Sequence, residues 1–335
     1  VDAVGRAWDA ALAAVARLMM RVFYRSVEVR GALPRASPLV VIANHGNSFV
    51  DSLLVFGFLG RPARFLGKHT LWRHPLVGPL VTLARVLPVH RRGDAGARPA
   101  RNERTFARCA RLLARGGAVA LFPEGRSHDE PRCLPLKSGA ARIVTRAQAE
   151  GARGLLVAPV GIVYEDKGRF RSRVVLRVGA ALSPASGAGV PEPVAALTAR
   201  FARALAEAAN PAPAGEPWPA PPPRARGRSL RLALAAPFNW LPYRVPGWIA
   251  SRRARRGDEP ATYKVLAGLL AFPGWWSLVA LGAAALLGPA ATIAFAVLAP
   301  LTGWLALGAL DARAPSGAAV RARAGDRAGG GRGRA

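Results

Sequence analysis

The chain has 335 residues, 51% of them hydrophobic, enough to fill a sizeable core, which excludes wholesale disorder. It carries 48 Lys plus Arg against 19 Asp plus Glu, a formal charge of +29 that favours an anionic partner, either nucleic acid or an acidic membrane surface. Two cysteines exclude a disulfide framework, and five scattered histidines offer no metal-ligand spacing, so no metal is expected.

Residues 1–30 begin with an amphipathic helix, in which Trp8, Leu12, Val15, Leu18, Met19, Val22 and Phe23 recur at helical spacing. Asp2, Arg6, Asp9, Arg17 and Arg21 interrupt any apolar run of signal-peptide type. Periodicity fits equally a helix packed on the following domain and a helix lying on a membrane.

Residues 31–210 alternate between strand and helix patterns. Short apolar runs at 38–43, 85–89, 118–122, 155–160 and 173–178 read as strands, and 52–59, 101–115 and 138–150 as helices. That alternation predicts an α/β domain with a mostly parallel central sheet flanked by helices. Ligands then bind off the carboxyl ends of the strands, where the loops 44–51 and 123–128 lie.

Residues 211–228 form a Pro/Arg-rich linker. The stretch 229–264 is apolar but broken by Pro237, Asn239, Pro242, Arg244 and Pro246, and it holds Trp240, Tyr243 and Trp248, so an interfacial or re-entrant segment is expected. From Val265 to Leu310 there is no charged residue. A span needs about 20 residues, and Gly288-Pro289 divides this run, so 265–311 reads as a helical transmembrane hairpin. A buried hairpin of a soluble domain is the alternative. Arg252, Arg253, Arg255 and Arg256 precede the run, while Arg313, Arg321, Arg323 and Arg327 follow it, which places both ends in the cytoplasm. The basic tail 312–335 has a disordered composition.

Two polar clusters follow buried strands. In Asn44-His45-Gly46-Asn47-Ser48-Phe49-Val50-Asp51, a neutral imidazole can take a proton from a hydroxyl. A carboxylate on its other nitrogen fixes the tautomer. With no Gly-x-Ser-x-Gly elbow, that hydroxyl belongs to a substrate. The same residues also fit a capping box with Ser48 as N-cap and Asp51 at N3, beside a structural His45. In Phe122-Pro123-Glu124-Gly125-Arg126-Ser127-His128-Asp129, Arg126 suits phosphate recognition and Gly125 lets backbone approach a ligand. Arg91 and Arg92 follow Leu87-Pro88-Val89-His90 as a further basic site.

Four blocks in this order resemble the glycerophospholipid acyltransferases, which include glycerol-3-phosphate and lysophosphatidic acid acyltransferases. They are Asn44-His45…Asp51, Lys68…Leu71 through Leu87-Pro88-Val89-His90-Arg91, Phe122–Ser127, and Ala158-Pro159-Val160-Gly161-Ile162, within about residues 35–185. The resemblance implies transfer of an acyl group from coenzyme A or acyl carrier protein to a glycerol-phosphate hydroxyl. It implies His45 as base, Asp51 as its partner, and Arg91 and Arg126 on the acceptor phosphate, with Arg92 as substitute for Arg91. Glu124 and Gly125 would shape the acceptor pocket, and Lys68 and Pro159 complete the substrate-binding set. No bound cofactor is required; the acyl thioester is a co-substrate, and anionic lipids and acyl carrier protein are the implied partners. The implied location is an inner (cytoplasmic) membrane of bacterial type, with the domain facing the cytoplasm.

Five residues separate His45 from Asp51, where the family usually has four, and a regular helix would not bring them together. His-x-Asn-x-Phe-Val-Asp and the extended Phe-Pro-Glu-Gly-x-Ser-His-Asp…Leu-Pro-Leu-Lys-x-Gly block resemble the fungal-type enzymes acting on glycerol 3-phosphate or dihydroxyacetone phosphate. This favours glycerol 3-phosphate over lysophosphatidic acid. Two readings from other classes stand beside it. One is a non-catalytic lipid-binding or scaffold protein, favoured by the spacing; the other is a nucleic-acid binder, opposed by the dispersed Arg residues and the lack of a binding motif.

Overall fold

A computed structural model describes residues 3–75, 77–91, 94, 96, 99–184, 186, 187, 190–210 and 228–311. Arg92, the linker to 227 and the basic tail from 312 lie outside the described residues. The chain forms two compact units. The first holds residues to Leu18, Glu28–Val163 and those from Val175 to the end of the α/β region; the second holds Met19–Val27, Tyr164–Val174 and the C-terminal helices.

The helix α1 spans Ala3–Phe23. Within the first unit it packs by one face: Asp9 is buried against Arg64 at 2.9 Å, and Arg17 donates to the carbonyl of Gly57 at 2.9 Å. The opposite face exposes Val4, Trp8, Val15 and Leu18 in helical register. The packed reading of the N-terminal helix thus describes its inner face, and its outer face presents apolar side chains.

The central sheet has seven strands: β1 (Ser26–Arg30), β2 (Leu39–Ala43), β3 (Arg64–Lys68), β4 (Leu87–Val89), β5 (Ala118–Leu121), β6 (Leu156–Tyr164) and β7 (Arg173–Val178). Their order is β1-β7-β6-β2-β5-β3-β4. The pairs β2–β5, β2–β6, β3–β5 and β3–β4 are parallel, with Ile42 opposite both Leu121 and Pro159. All five residues of β2 are buried, as an uninterrupted Leu-Val-Val-Ile-Ala run requires when both faces are covered. Its neighbours include Phe106, Cys109 and Leu113 of α4 (Asn102–Ala114), Ile143 and Val144 of α5 (Gly139–Ala149), and Leu197 and Phe201 of α6 (Val194–Ala209), all in one apolar core. Two further helices, α2 (Ser48–Phe58) and α3 (Val77–Leu83), complete the α/β layer.

The end of α6 lies so close over β6 that a Cβ on Gly161 would collide with the carbonyl oxygen of Ala208. Because that obstacle is backbone, Gly161→Ala is expected to destabilise the domain by about 3 kcal/mol. Thermal unfolding checks this, and an unchanged Tm would contradict the close approach.

In the second unit, α7 (Arg228–Arg253), α8 (Pro260–Leu287) and α9 (Pro289–Asp311) pack together. The helices α8 and α9 are long and apolar enough to cross a membrane, with mean hydropathy 1.7 and 2.0. They expose Leu278, Leu281, Leu286, Ile293, Val297 and Trp304, which marks the unit as membrane-associated. In the segment expected to be interfacial or re-entrant, Arg228–Arg253 form a continuous helix despite three internal prolines. Buried Asn239 ties α7 to both neighbours: its amide donates to the carbonyl of Ala299 at 3.2 Å and accepts from Trp276 Nε1 at 3.2 Å. Neighbouring helices satisfy the backbone groups that prolines free.

The open end of the hairpin is held by charge. Arg171, in the left-handed region at φ 61°, donates to both carboxylate oxygens of Asp311 at 2.6 and 2.8 Å. Its remaining nitrogen donates to the carbonyls of Arg21 and Val22 at 2.7 and 3.0 Å. Nearby, Lys264 donates to the carbonyl of Gly168 at 2.7 Å.

Candidate active site

Because β2, β3, β4, β5 and β6 run parallel, the residues after each strand gather at one edge of the sheet. His45 follows β2, Glu124–Arg126 follow β5, Lys68 ends β3 and Arg91 follows β4. Strands are about 4.8 Å apart. The β5 loop is therefore one spacing from His45, Lys68 two and Arg91 three.

At the centre, His45 Nδ1 lies 2.9 Å from Asp51 Oδ2. The additional residue is absorbed in the turn before α2: Asn47 is the N-cap and Ser48 has φ 46°. The helix therefore starts at Ser48, one residue earlier than a Ser48-capped box would set, and Asp51 stands at the fourth helical position. Its Oδ2 also accepts the backbone N–H of Asn47 at 2.7 Å. Asp51 is 0% exposed and the His45 side chain 12%. The imidazole stacks on Phe122, with centroids 4.0 Å apart and planes 8° from parallel.

The structure brings Glu124 to this pair in a way the sequence did not indicate. Its side chain is fully buried. Oε1 accepts the backbone N–H of His45 at 2.9 Å, while Oε2 accepts that of Leu134 at 3.0 Å and contacts His128 Nε2. Gly125, at φ 79°, makes the turn beside Lys137. Arg126 is exposed, with no ion-pair partner among the described residues. Ser127 accepts a hydrogen bond from Ser48 at 3.0 Å, joining the two loops.

Lys68 and Arg91 meet in a second cluster. Lys68 pairs with Asp94 at 3.0 Å, His69 stacks on His90 with centroids 4.2 Å apart, and Asn102 holds both the N–H and the carbonyl of His90. Burial pulls the Arg91 guanidinium below its usual pKa, and Asp94 partly offsets this. Pro159 is not brought to the opening: it is buried within β6, opposite Ile42. Nearer the edge, Asn44 spans the N–H and carbonyl of Ile162 at 2.6 and 3.1 Å, fixing the loop that carries His45. Asn44, Asp94, Asn102 and His128 act through contacts remote in sequence. Only the short polar clusters containing Asn44 and His128 signalled any of them.

Neither thiol suits a covalent role. Burial pushes Cys109 up to about 12, and burial with the Glu124 charge pushes Cys133 up to about 11. Among the described residues, no group of three His, Cys, Asp or Glu is placed to hold a metal ion.

Comparisons with known proteins point the same way. An acyltransferase family model matches residues 26–163. The chain is 46% identical over 74 residues to an uncharacterised acyltransferase of Schizosaccharomyces pombe, and 40% identical over 79 residues to a glycerol-3-phosphate O-acyltransferase of Saccharomyces cerevisiae. These matches cover 22% and 23% of this chain and 11% of each relative. A lyso-ornithine lipid O-acyltransferase of Brucella abortus is 30% identical over 151 residues, 44% of this chain and 53% of the relative. The chain thus spans about half of one curated relative and about a tenth of the others. Residues 26–163 match the acyltransferase family model, and the stretches that align with these relatives make the chain similar to glycerolipid acyltransferases over that part of its length.

Proposed function

We propose that this domain moves a fatty acyl group from an acyl thioester, on coenzyme A or acyl carrier protein, to the hydroxyl of a glycerol-phosphate acceptor, glycerol 3-phosphate foremost. The observation that carries this reading is the 2.9 Å contact between His45 and a fully buried Asp51 at the carboxyl edge of a parallel sheet. Asp51 accepts the Nδ1 proton, so Nε2 is left to take the proton of the acceptor hydroxyl. The oxygen attacks the thioester carbonyl, the carbon–sulfur bond breaks, and the imidazolium returns the proton to the departing thiolate. The buried Asp51 carboxylate balances the transient charge. Arg126, one strand spacing from His45, and Arg91 with Lys68 supply cations for the phosphate. The catalytic domain works at the cytoplasmic face of the membrane that holds α8 and α9, where anionic headgroups attract the juxtamembrane arginines.

The test is acyl transfer by the detergent-solubilised chain with labelled palmitoyl-coenzyme A or acyl carrier protein thioester. Glycerol 3-phosphate, dihydroxyacetone phosphate, lysophosphatidic acid and lyso-ornithine lipid are offered in turn. Transfer to glycerol 3-phosphate that falls about 10⁴-fold in His45→Ala is expected. Preference for lysophosphatidic acid would make this a second-step acyltransferase. The Brucella relative's name motivates the last acceptor. Silence with every donor and acceptor would favour a non-catalytic membrane scaffold.

A further inference from the structure

His128 is a buried, titratable side chain that the proposed chemistry does not use. It follows Glu124 by four residues, but in a loop rather than a helix. Its ring contacts Glu124 Oε2, while its backbone N–H donates to the carbonyl of His45 at 3.1 Å. Glu124 takes the N–H of the same residue at 2.9 Å. His45 is therefore held at both its backbone N–H and its backbone carbonyl by one pair of neighbouring side-chain and main-chain groups. The Glu124 side chain has no exposure, and its two oxygens face three donors: His45 N–H, Leu134 N–H and the His128 ring. No part of the Glu124 side chain is exposed for an acceptor to reach.

We propose that Glu124 and His128 are positioning residues: the His128 ring holds the buried Glu124 carboxylate on the His45 N–H while the His128 main-chain N–H takes the His45 carbonyl, and so the His45 imidazole is seated between Asp51 and Phe122. This deepens the acyltransferase reading and rests on His45 being the base. It moves Glu124 from acceptor binding to alignment. The physical reason is the narrow tolerance of proton transfer: a displacement of about 1 Å in a reacting group costs about 10²-fold in rate. The Ser48–Ser127 bond and the stack on Phe122 act on the rim and the ring face rather than on the His45 backbone.

The test uses the full chain in detergent, with His128→Phe, which keeps ring volume without an N–H, and His128→Gln, which keeps a donor. Two readouts are taken. The first is kcat and the KM of both substrates. The second is the rate of His45 carbethoxylation by diethyl pyrocarbonate at neutral pH, followed by peptide mass spectrometry, which needs no turnover. Asp51→Ala supplies the rate for an unseated imidazole. In His128→Phe, kcat is expected to fall about 10²-fold with both KM values unchanged, and His45 is expected to react as fast as in Asp51→Ala. His128→Gln is expected to retain wild-type values in both readouts. Three results would overturn the clamp: a raised acceptor KM with kcat intact, His45 reactivity unaltered in His128→Phe, or His128→Gln as defective as Phe. If His128→Phe does not fold, His128→Gln decides alone, by keeping or losing the wild-type His45 reactivity. Equal transfer by wild type and His45→Ala would remove the base assignment, while the carbethoxylation rates still report on the clamp.

Discussion

Asp51→Ala is expected to lower kcat by about 10⁴-fold, and Asp51→Asn by only about 10²-fold, with KM values near wild type. The difference follows from one atom. Oδ2 alone serves both His45 Nδ1, at 2.9 Å, and the Asn47 N–H, at 2.7 Å. An Asn side chain can place its oxygen there and keep both of these bonds, so the tautomer survives while the negative charge is lost. Ala removes the charge, the orientation and the cap together, the last worth about 1 kcal/mol of stability. Steady-state rates with saturating donor and acceptor check this. An Asp51→Ala enzyme within tenfold of wild type, or an Asn variant as slow as Ala, would contradict the geometry.

The second large effect concerns stability. Asp311→Ala leaves Arg171 buried without its carboxylate, and breaking such a pair costs about 3–5 kcal/mol. The side chains are 9% and 15% exposed, so the lower end applies, about 3 kcal/mol, read as a Tm fall of roughly 5–10 °C. The double variant Arg171→Met with Asp311→Leu removes both charges and is expected to recover part of that loss. Recovery stays incomplete because the carbonyls of Arg21 and Val22 lose their donor as well. A Tm unmoved by Asp311→Ala would show the pair to be incidental.

The parts of the fold legible in the sequence were those with one dominant signal. Residues 38–43 and 118–122 are continuous apolar runs, and they became β2 and β5 at the buried centre of a parallel sheet. The charge-free run from Val265 became two helices divided at Gly288. β1 and β3 escaped because Ser-Val-Glu-Val-Arg and Arg-Phe-Leu-Gly-Lys mix charge with apolar residues, and in the structure both are only partly buried. The helix α7 escaped because Pro237, Pro242 and Pro246 are breakers in water, while tertiary packing through Asn239 keeps the helix going. At the site, the residue types of the His45–Asp51 pair were readable, but their contact depended on a left-handed Ser48 that no spacing rule supplies. Glu124 was readable as a site residue, though not as one enclosed by Leu134 and His128, because those contacts arise where a loop folds back on itself.

The Arg171–Asp311 pair also sets an order of events during synthesis. The two residues are 140 positions apart, and Asp311 is the last residue of the last described helix. At 5–20 residues per second, Arg171 leaves the ribosome on the order of ten seconds before its partner. During that interval its guanidinium has the carbonyls of Arg21 and Val22, both already made, but no counter-charge. The enclosure of Arg171 is therefore completed only after α9 has been made, so the second unit reaches its final form as the newest part of the chain arrives. A ribosome stalled before Asp311 would hold a chain whose central sheet is already encoded in full while its C-terminal helices still lack their charged latch.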